Sequence, residues 1–242
     1  MNSVRAVDRA IDILEAMSVA PEGMKISELE EVTGISRPTL YRLVATLVNR
    51  NLLRQCGDPT RYEMDAGIIG LAQPWMKSAG SFAHAAPALD ALAVAAGETV
   101  GLCLRRGAQR IFVREITSPH PLKYAIGVGA TEPLLRGAGG RAILAFLDGD
   151  EVAAVLAETG DVLNQDLDDA LREIRAYGYA LSESQILEGA TAIAAPIFGQ
   201  DGRCLGSVGV YGPSVRLSGD RIPAVVDALL ACADRISVHR PE

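Results

Sequence analysis

Five arginines lie close together near the N-terminal end of the chain, and their side chains could bind phosphate groups. They are Arg37, Arg42, Arg50, Arg54 and Arg61. Asp58 is the one acidic residue in residues 34–62, so this stretch carries 5 − 1 = +4, whereas the whole chain carries −7. Positive charge concentrated in this way attracts a polyanion such as nucleic acid. The chain therefore combines a locally basic segment with an acidic remainder.

The elements that must hold these arginines are two helices joined by a short turn. Apolar residues at helical spacing after Ser27, which we expect to cap the first helix, predict a helix that Gly34 ends. Ser36 can cap a second helix, whose apolar stripe leaves several polar residues on its outer faces. Two helices joined by a glycine-containing turn are typical of a helix-turn-helix motif, in which the second helix reads DNA.

A β-hairpin is predicted directly after the second helix. Residues 52–54 and 61–64 form short β-like runs around the turn-rich residues 56–60. This hairpin is typical of the wing of a winged helix. The predicted DNA-binding residues of the helix and wing are Ser36, Arg37, Thr39, Tyr41, Arg42, Arg54 and Arg61. Two alternatives stay open, because the same pattern fits a packed helical hairpin and a winged helix that binds protein.

Composition excludes several classes of protein. The 242 residues, 49% of them hydrophobic, provide ample core, and no apolar run approaches the ~20 residues that span a bilayer. We therefore expect a cytoplasmic protein with no membrane partner. The four cysteines are far apart and form no CxxC pair, so we predict no metal site and no cofactor. Cys56 could be an exposed, oxidisable thiol or an ordinary surface cysteine.

Three regions are predicted: a winged helix-turn-helix over residues 1–65, a linker helix over 66–80 and a larger domain over 81–242. The connecting residues 67–79 are more apolar than a flexible linker and contain Pro74, near which we expect an interruption. An exposed apolar helix needs a partner surface. It is predicted to dimerise the protein or, alternatively, to dock on the larger domain.

The larger domain is predicted to be α+β. Helices are expected over residues 81–96, 139–147, 150–158, 166–177 and 220–238, and strands over 98–104, 110–117, 122–128, 179–182, 191–198 and 204–211. This order predicts a curved antiparallel sheet with helices on its faces, as in GAF-type and PAS-type sensor domains. Glycine-rich residues 127–140 precede a helix, so an anion could bind at its N-terminus. Residues 137–142 also match a dinucleotide fingerprint, but no strand directly precedes them.

The polar residues of the sequence do not form a recognisable catalytic motif. His84, His120 and His239 lie in separate elements, and no HExxH, GxSxG or Cys/His/Asn grouping places a nucleophile beside a base. We therefore predict no catalytic residues. A ligand-binding or scaffold protein whose winged helix pairs with protein remains a third possibility, which salt-sensitive DNA binding would exclude.

Several segments together resemble the isocitrate-lyase-regulator (IclR) family of bacterial transcription regulators. They are VDRAIDIL at 7–14, RPTLYRL at 37–43, GGRAILA at 139–145, AIAAPIF at 192–198 and SVGVYGP at 207–213. The resemblance covers nearly the whole chain in the right order. It implies a winged helix-turn-helix, a linker helix and a GAF-like effector domain in a homodimer or homotetramer. Such a regulator, often a repressor, reads a palindromic operator in double-stranded DNA, and a small-molecule effector shifts its affinity.

The resemblance also implies an effector pocket lined by Tyr124, Glu132, Ala138, Gly139, Ser182, Ala190, Ala192 and Gly209. Tyr124 could stack on a ligand, and Ser182 or Glu183 could bind a hydroxyl group. Alternatively, Glu132 and Glu183 are solvated loop residues. Family effectors are often small carboxylates or aromatic acids. Since relatives place a polar side chain where this sequence has Gly209, we expect room for a bulkier effector.

Overall fold

The computed structural model describes residues 3–78 and 83–237, and the chain forms two compact units, Met1–Gly80 and Ser81–Glu242. The predicted boundary between residues 80 and 81 lies outside the described residues. The elements of the first unit are α1 (Arg5–Ser18), α2 (Ile26–Thr33), α3 (Arg37–Asn49), β1 (Leu53–Cys56), β2 (Arg61–Met64) and α4 (Gly67–Ser78).

The three N-terminal helices pack around one apolar core because each carries apolar residues at three- and four-residue spacing. Its fully buried side chains include Ile13 of α1, Leu29 of α2 and Leu40 of α3. Gly34 ends α2 with φ of +67°, as predicted. The prediction that Ser27 caps α2 was wrong: the helix begins at Ile26, and its N-cap residue is Lys25.

A carboxylate, and not a hydroxyl group, accepts the side-chain hydrogen bond at the start of α2. The Glu28 side chain reaches back and accepts a hydrogen bond from the Lys25 N–H at 2.9 Å. The wing follows α3 as predicted, with β1 and β2 antiparallel in the register Leu53↔Met64. A bridge between Met24 and Tyr62 attaches β2 to the loop before α2. The wing is therefore part of the same packed unit as the helices.

Helix α4 runs through Pro74 without the interruption that we expected. A proline removes one intrahelical hydrogen bond, here to the carbonyl of Gly70, and a single loss of this kind does not have to end a helix. Ile69, Leu71 and Trp75 are 66%, 68% and 50% exposed within the first unit. The linker helix thus presents large apolar side chains on its surface.

The second unit is built on a six-stranded antiparallel sheet. Its elements are a 3-10 turn (Ala83–Ala85), α5 (Ala86–Ala96), β3 (Thr99–Arg106), β4 (Gln109–Ile116), β5 (Thr131–Pro133), α6 (Gly137–Leu144), α7 (Gly149–Thr159), α8 (Gln165–Tyr177), β6 (Ala180–Glu183), β7 (Ala190–Phe198), β8 (Cys204–Pro213) and α9 (Arg221–Ile236). The strand order is β5-β4-β3-β8-β7-β6. Each neighbouring pair is antiparallel.

Helices cover both faces of this sheet, because successive strand residues point to opposite sides. On one face, Ile193 and Val210 pack against α5 and α9. On the other, Ala194 and Phe198 pack against α6, α7 and α8. The predicted α+β class, with a winged helix-turn-helix before a curved antiparallel sheet, is confirmed.

One predicted strand, residues 122–128, is a loop. The Glu115 carboxylate accepts hydrogen bonds from the amides of Ile126 at 2.8 Å and Gly127 at 3.0 Å, so these groups bond a side chain and not a neighbouring strand. Gly127 and Gly129 have φ of +92°, which strand residues do not adopt. The edge strand is β5 instead.

Candidate nucleic-acid interface and ligand pocket

Helix α3 exposes most of the residues that were predicted to contact DNA. Ser36, Arg37, Tyr41 and Arg42 are exposed, and Thr39 is half-buried. Ser36 is the N-cap residue of α3, but its hydroxyl makes no capping bond to the helix backbone and lies 3.2 Å from the Thr39 hydroxyl. The Arg42 guanidinium has no hydrogen bond or ion pair with any described residue. It therefore keeps all its donors available for another molecule.

The other predicted arginines are held by carboxylates of the same unit. Arg37 bonds Glu30 at 2.7 Å and Arg54 bonds Glu63 at 2.8 Å, and both arginine side chains are more than half exposed. Exposed ion pairs contribute about 0–1 kcal/mol, so a phosphate can replace either carboxylate at little cost. These two arginines are weakly held and remain available to DNA.

Arg61 makes a denser set of contacts than the other wing residues. Its guanidinium donates to the carbonyls of Glu22 at 3.1 Å and Gly23 at 2.7 Å, and to the Glu28 carboxylate at 3.0 Å. These bonds tie β2 to the start of α2. DNA contact by Arg61 stays a prediction, while the observed bonds fit a residue that positions the wing.

The second unit contains a cavity of about 130 Å³ between the sheet, the start of α6 and the loop that precedes β5. It is lined by Arg110, Tyr124, Ala125, Ile126, Glu132, Gly137, Ala138, Ser182, Gln185, Ile186, Leu187, Ala190, Thr191, Ala192 and Tyr211. Six of the residues predicted to bind an effector are among them: Tyr124, Glu132, Ala138, Ser182, Ala190 and Ala192. The lining is mostly apolar, with a small number of polar groups.

Three of the predicted residues do not line this cavity. Glu183 follows Ser182 on β6 and points to the opposite side, where it is exposed. A Cβ on Gly139 would lie 2.8 Å from Nη1 of Arg110, so this glycine lies beneath a guanidinium and not beneath a ligand. A Cβ on Gly209 would lie 2.5 Å from Oη of Tyr211.

The expectation that Gly209 leaves room for a bulkier effector was therefore wrong. Tyr211 follows Gly209 by two residues on the same face of β8, and its side chain lies back over the glycine. The tyrosine occupies the space that a larger side chain would have filled. The volume left is that of a small molecule.

The first two backbone amides of α6, those of Gly137 and Ala138, are also not free for an anion. Gln185 accepts a hydrogen bond from the Gly137 N–H at 3.3 Å, and the Ser182 hydroxyl accepts one from the Ala138 N–H at 3.0 Å. Two side chains from the neighbouring segment thus satisfy the amides that we expected a ligand carboxylate to occupy. The positive charge at this cavity comes from another residue.

That residue is Arg110, which the sequence analysis missed. Its side chain is 1% exposed and forms an ion pair with Glu132, its cross-strand partner on β5. Nε and Nη1 of Arg110 have no hydrogen-bond partner among the described residues. An arginine two residues before the buried Phe112, on the inward side of a strand, is the signal that could have identified it.

Two more buried polar groups near Arg110 have no hydrogen-bond partner in the described part of the chain. They are the hydroxyls of Tyr211 and Ser207. Burial raises the pKa of Tyr211 well above its usual value and that of the neighbouring Cys103 thiol to about 12, so both groups keep their protons. Buried polar groups are normally hydrogen-bonded, and a cluster of unpartnered ones indicates a place for water or a polar ligand.

The described residues do not bring together the groups that a metal site or a redox site would need. They contain no group of three or more His, Cys, Asp and Glu side chains that could hold a metal ion. None of their helices is long and apolar enough to cross a membrane. The Glu63 carboxylate beside Cys56 raises the pKa of that thiol, which disfavours the thiolate that oxidation requires.

Comparison with known families finds two matches that together span most of the chain. Residues 6–57 match the IclR helix-turn-helix domain. Residues 73–238 match a family described as bacterial transcriptional regulator IclR, C-terminal.

Named relatives match over nearly their whole length. The HTH-type transcriptional regulator BhcR of Paracoccus denitrificans is 27% identical, with 97% of this chain and 86% of that protein covered. KipR of Bacillus subtilis is 26% identical over 98% of this chain and 97% of its own. The transcriptional repressor IclR of Escherichia coli is 22% identical, with 97% and 89% covered.

A solved structure shares the fold over both units. The crystal structure of an IclR transcriptional regulator from Alicyclobacillus acidocaldarius covers 98% of both chains with a TM-score of 0.86 and 24% sequence identity. At 24% identity, this similarity supports the fold and does not identify a ligand.

Proposed function

Because the chain belongs to the IclR family of bacterial transcriptional regulators, we propose that a small organic or aromatic acid controls its affinity for operator DNA. The protein is a helix-turn-helix transcription regulator and not an enzyme. In our proposal the acid binds in the cavity beside Arg110 and Tyr211. A homodimer or homotetramer reads a palindromic operator with α3 and the wing.

The observation that carries the effector proposal is the buried Arg110 with two unpartnered donors at a mostly apolar cavity. A buried guanidinium recognises a carboxylate through charge-assisted hydrogen bonds. The cavity of about 130 Å³ compares with the ~150 Å³ cavity that holds a benzene molecule in another protein. An acid with one six-membered ring or a short aliphatic chain therefore fits best.

The linker helix supports the oligomer. Leu71 and Trp75 lie one turn apart on α4, and both side chains are at least half exposed within the first unit. Large apolar side chains exposed on one helix are typical of a subunit interface. A two-fold dimer then presents two copies of α3 to the half-sites of a palindrome.

Arg42→Ala is expected to weaken operator binding by about 5- to 150-fold, which corresponds to the ~1–3 kcal/mol of a lost arginine contact with a base. The exposed Arg42 guanidinium makes no hydrogen bond or ion pair with any described residue, so we expect its removal to leave the fold intact. Fluorescence anisotropy with a duplex from the region upstream of its own gene measures the affinity.

The matched control is Arg203→Ala, which removes an 85% exposed arginine from the second unit. Its DNA affinity should equal that of the parent protein. If Arg42→Ala also bound DNA with parental affinity, α3 would not be the reading helix. If the parent showed no salt-sensitive DNA binding at all, the DNA-binding proposal itself would fail.

A further inference from the structure

An open groove lined by basic side chains lies on the side of α3 that faces away from the wing. Its lining consists of Arg5, Ala6 and Arg9 of α1 and Thr39, Arg42, Leu43, Ala45 and Thr46 of α3. Arg5 and Arg9 are spaced by four residues, so they lie one above the other on the same face of α1. Together with Arg42 they place three guanidinium groups along one open groove.

None of these three guanidinium groups has a hydrogen bond or an ion pair with a described residue. The acidic residues Asp8 and Asp12 lie on the same helix and are exposed, but neither forms an ion pair with them. Three like charges around one groove repel one another unless an anion lies between them. The three guanidinium groups are therefore available to a negatively charged partner.

The side of α3 that faces the wing has its own polar groove. It is lined by Lys25, Ile26, Ser27, Arg37, Tyr41, Gln55, Thr60 and Tyr62. Helix α3 thus lies between two grooves, and each of them contains basic side chains. Thr39 and Thr46 also line the α1 side, where the Thr46 hydroxyl donates to the Arg42 carbonyl at 2.8 Å and the Thr39 hydroxyl lies 3.2 Å from that of Ser36.

The dimensions of DNA explain why basic side chains lie on both sides of α3. The major groove of B-DNA is about 12 Å wide, and a helix with its side chains is about 10–12 Å across. A recognition helix therefore fills the groove, and the phosphate backbones of the two strands lie on either side of it. Side chains of neighbouring elements that flank the recognition helix on either side meet phosphates rather than bases.

We propose that Arg5 and Arg9 of α1 bind the phosphate backbone of one DNA strand, while the wing-side groove binds the backbone of the other strand. This inference rests on the proposed function, because it requires α3 to lie in the major groove. It adds α1 to the DNA-contact surface that was predicted from α3 and the wing. The contacts carry no sequence information and raise affinity for every DNA sequence alike.

The test replaces both arginines, as Arg5→Gln/Arg9→Gln, and measures binding to a random-sequence 30-base-pair duplex and to the upstream duplex. Each lost phosphate contact lowers the slope of log K against log salt by about 0.9, so the loss is about 1.8 per bound protomer. Affinity at 100 mM salt should fall roughly tenfold for both duplexes. Thermal unfolding without DNA should be unchanged or slightly raised, because mutual repulsion is relieved.

Two controls separate this effect from general charge and from folding. Arg203→Gln/Arg235→Gln removes the same charge from exposed positions of the second unit and should leave the slope unchanged. Asp12→Asn removes an exposed acid from α1 and should strengthen binding. A parental slope and affinity for Arg5→Gln/Arg9→Gln, in a protein that does bind DNA, would overturn the inference. A loss of affinity accompanied by a lower unfolding temperature would also overturn it, since the arginines would then act through the fold.

Discussion

Glu132→Gln is expected to tighten the binding of a small aromatic acid about tenfold, whereas Arg110→Met/Glu132→Gln is expected to weaken it by roughly 30- to 1000-fold. Glu132 already neutralises Arg110 in the protein without a ligand. An effector carboxylate at Nε or Nη1 must therefore share the guanidinium with Glu132, whose negative charge repels it. Glutamine keeps the size of the side chain and removes the competing charge, so the two variants should change affinity in opposite directions.

The double variant avoids a folding artefact. Removing Arg110 alone would leave Glu132 close to a largely buried site without its partner, and breaking a buried pair in this way costs about 3–5 kcal/mol of stability. Replacing both members by uncharged residues of similar volume is often neutral for stability. Cooperative thermal unfolding near the parental temperature should therefore accompany the loss of binding.

Isothermal titration with benzoate and with benzamide tests whether the change in affinity depends on the charge of the ligand. The two molecules have nearly the same size, but only benzoate carries a carboxylate. Glu132→Gln should favour benzoate over benzamide, and the double variant should remove that preference. Equal changes for both ligands would mean that Arg110 and Glu132 shape the cavity without recognising an acid.

The sequence predicted the elements whose cause is local and missed features that depend on contacts between distant residues. The stripe that contains Leu40, together with the turn at Gly34, defines the helix pair because periodicity and backbone angles are properties of short segments. Residues 122–128 resemble a strand by the same criterion. Their amides nevertheless bond Glu115 in the tertiary structure.

The candidate pocket also combines features that could be predicted from the sequence with features that could not. The resemblance to a family carried over positions along the chain, and six of them line the cavity. It could not show that Tyr211 lies back over Gly209 or that Arg110 meets Glu132 across β4 and β5. The first fact depends on the orientation of the Tyr211 side chain, and the second on strand register, which one sequence does not define beyond its hairpins.

In our proposal, the loop that precedes β5 would connect ligand binding to a larger conformational change. Tyr124 and Ile126 line the cavity, and Glu132 belongs to a strand of three residues at the edge of the sheet. Displacing Glu132 from Arg110 would remove the main side-chain bond between β5 and β4, since short edge strands have little other support. An acid could therefore shift this segment through the same ion pair that recognises it.

Gly139→Val is expected to abolish the response to an acidic effector without abolishing DNA binding. A Cβ at this position would lie 2.8 Å from Nη1 of Arg110 and 3.2 Å from the hydroxyl of Ser207. The branched side chain must push the guanidinium away from its place above α6. The effect is transmitted through Arg110, because Gly139 itself does not line the cavity.

The size of the effect should grow with the size of the side chain, since Gly139→Ala adds only the Cβ and Gly139→Val adds two further methyl groups. Benzoate affinity should fall by at least tenfold for alanine and below detection for valine, because a guanidinium displaced by about 1 Å loses its hydrogen-bond geometry. Gly149→Ala is the control, as a Cβ there meets nothing within 4 Å. Parental benzoate binding by Gly139→Val would show that Arg110 does not anchor the acid, whereas loss of DNA binding by Gly139→Val would mean that the substitution acts on more than the pocket.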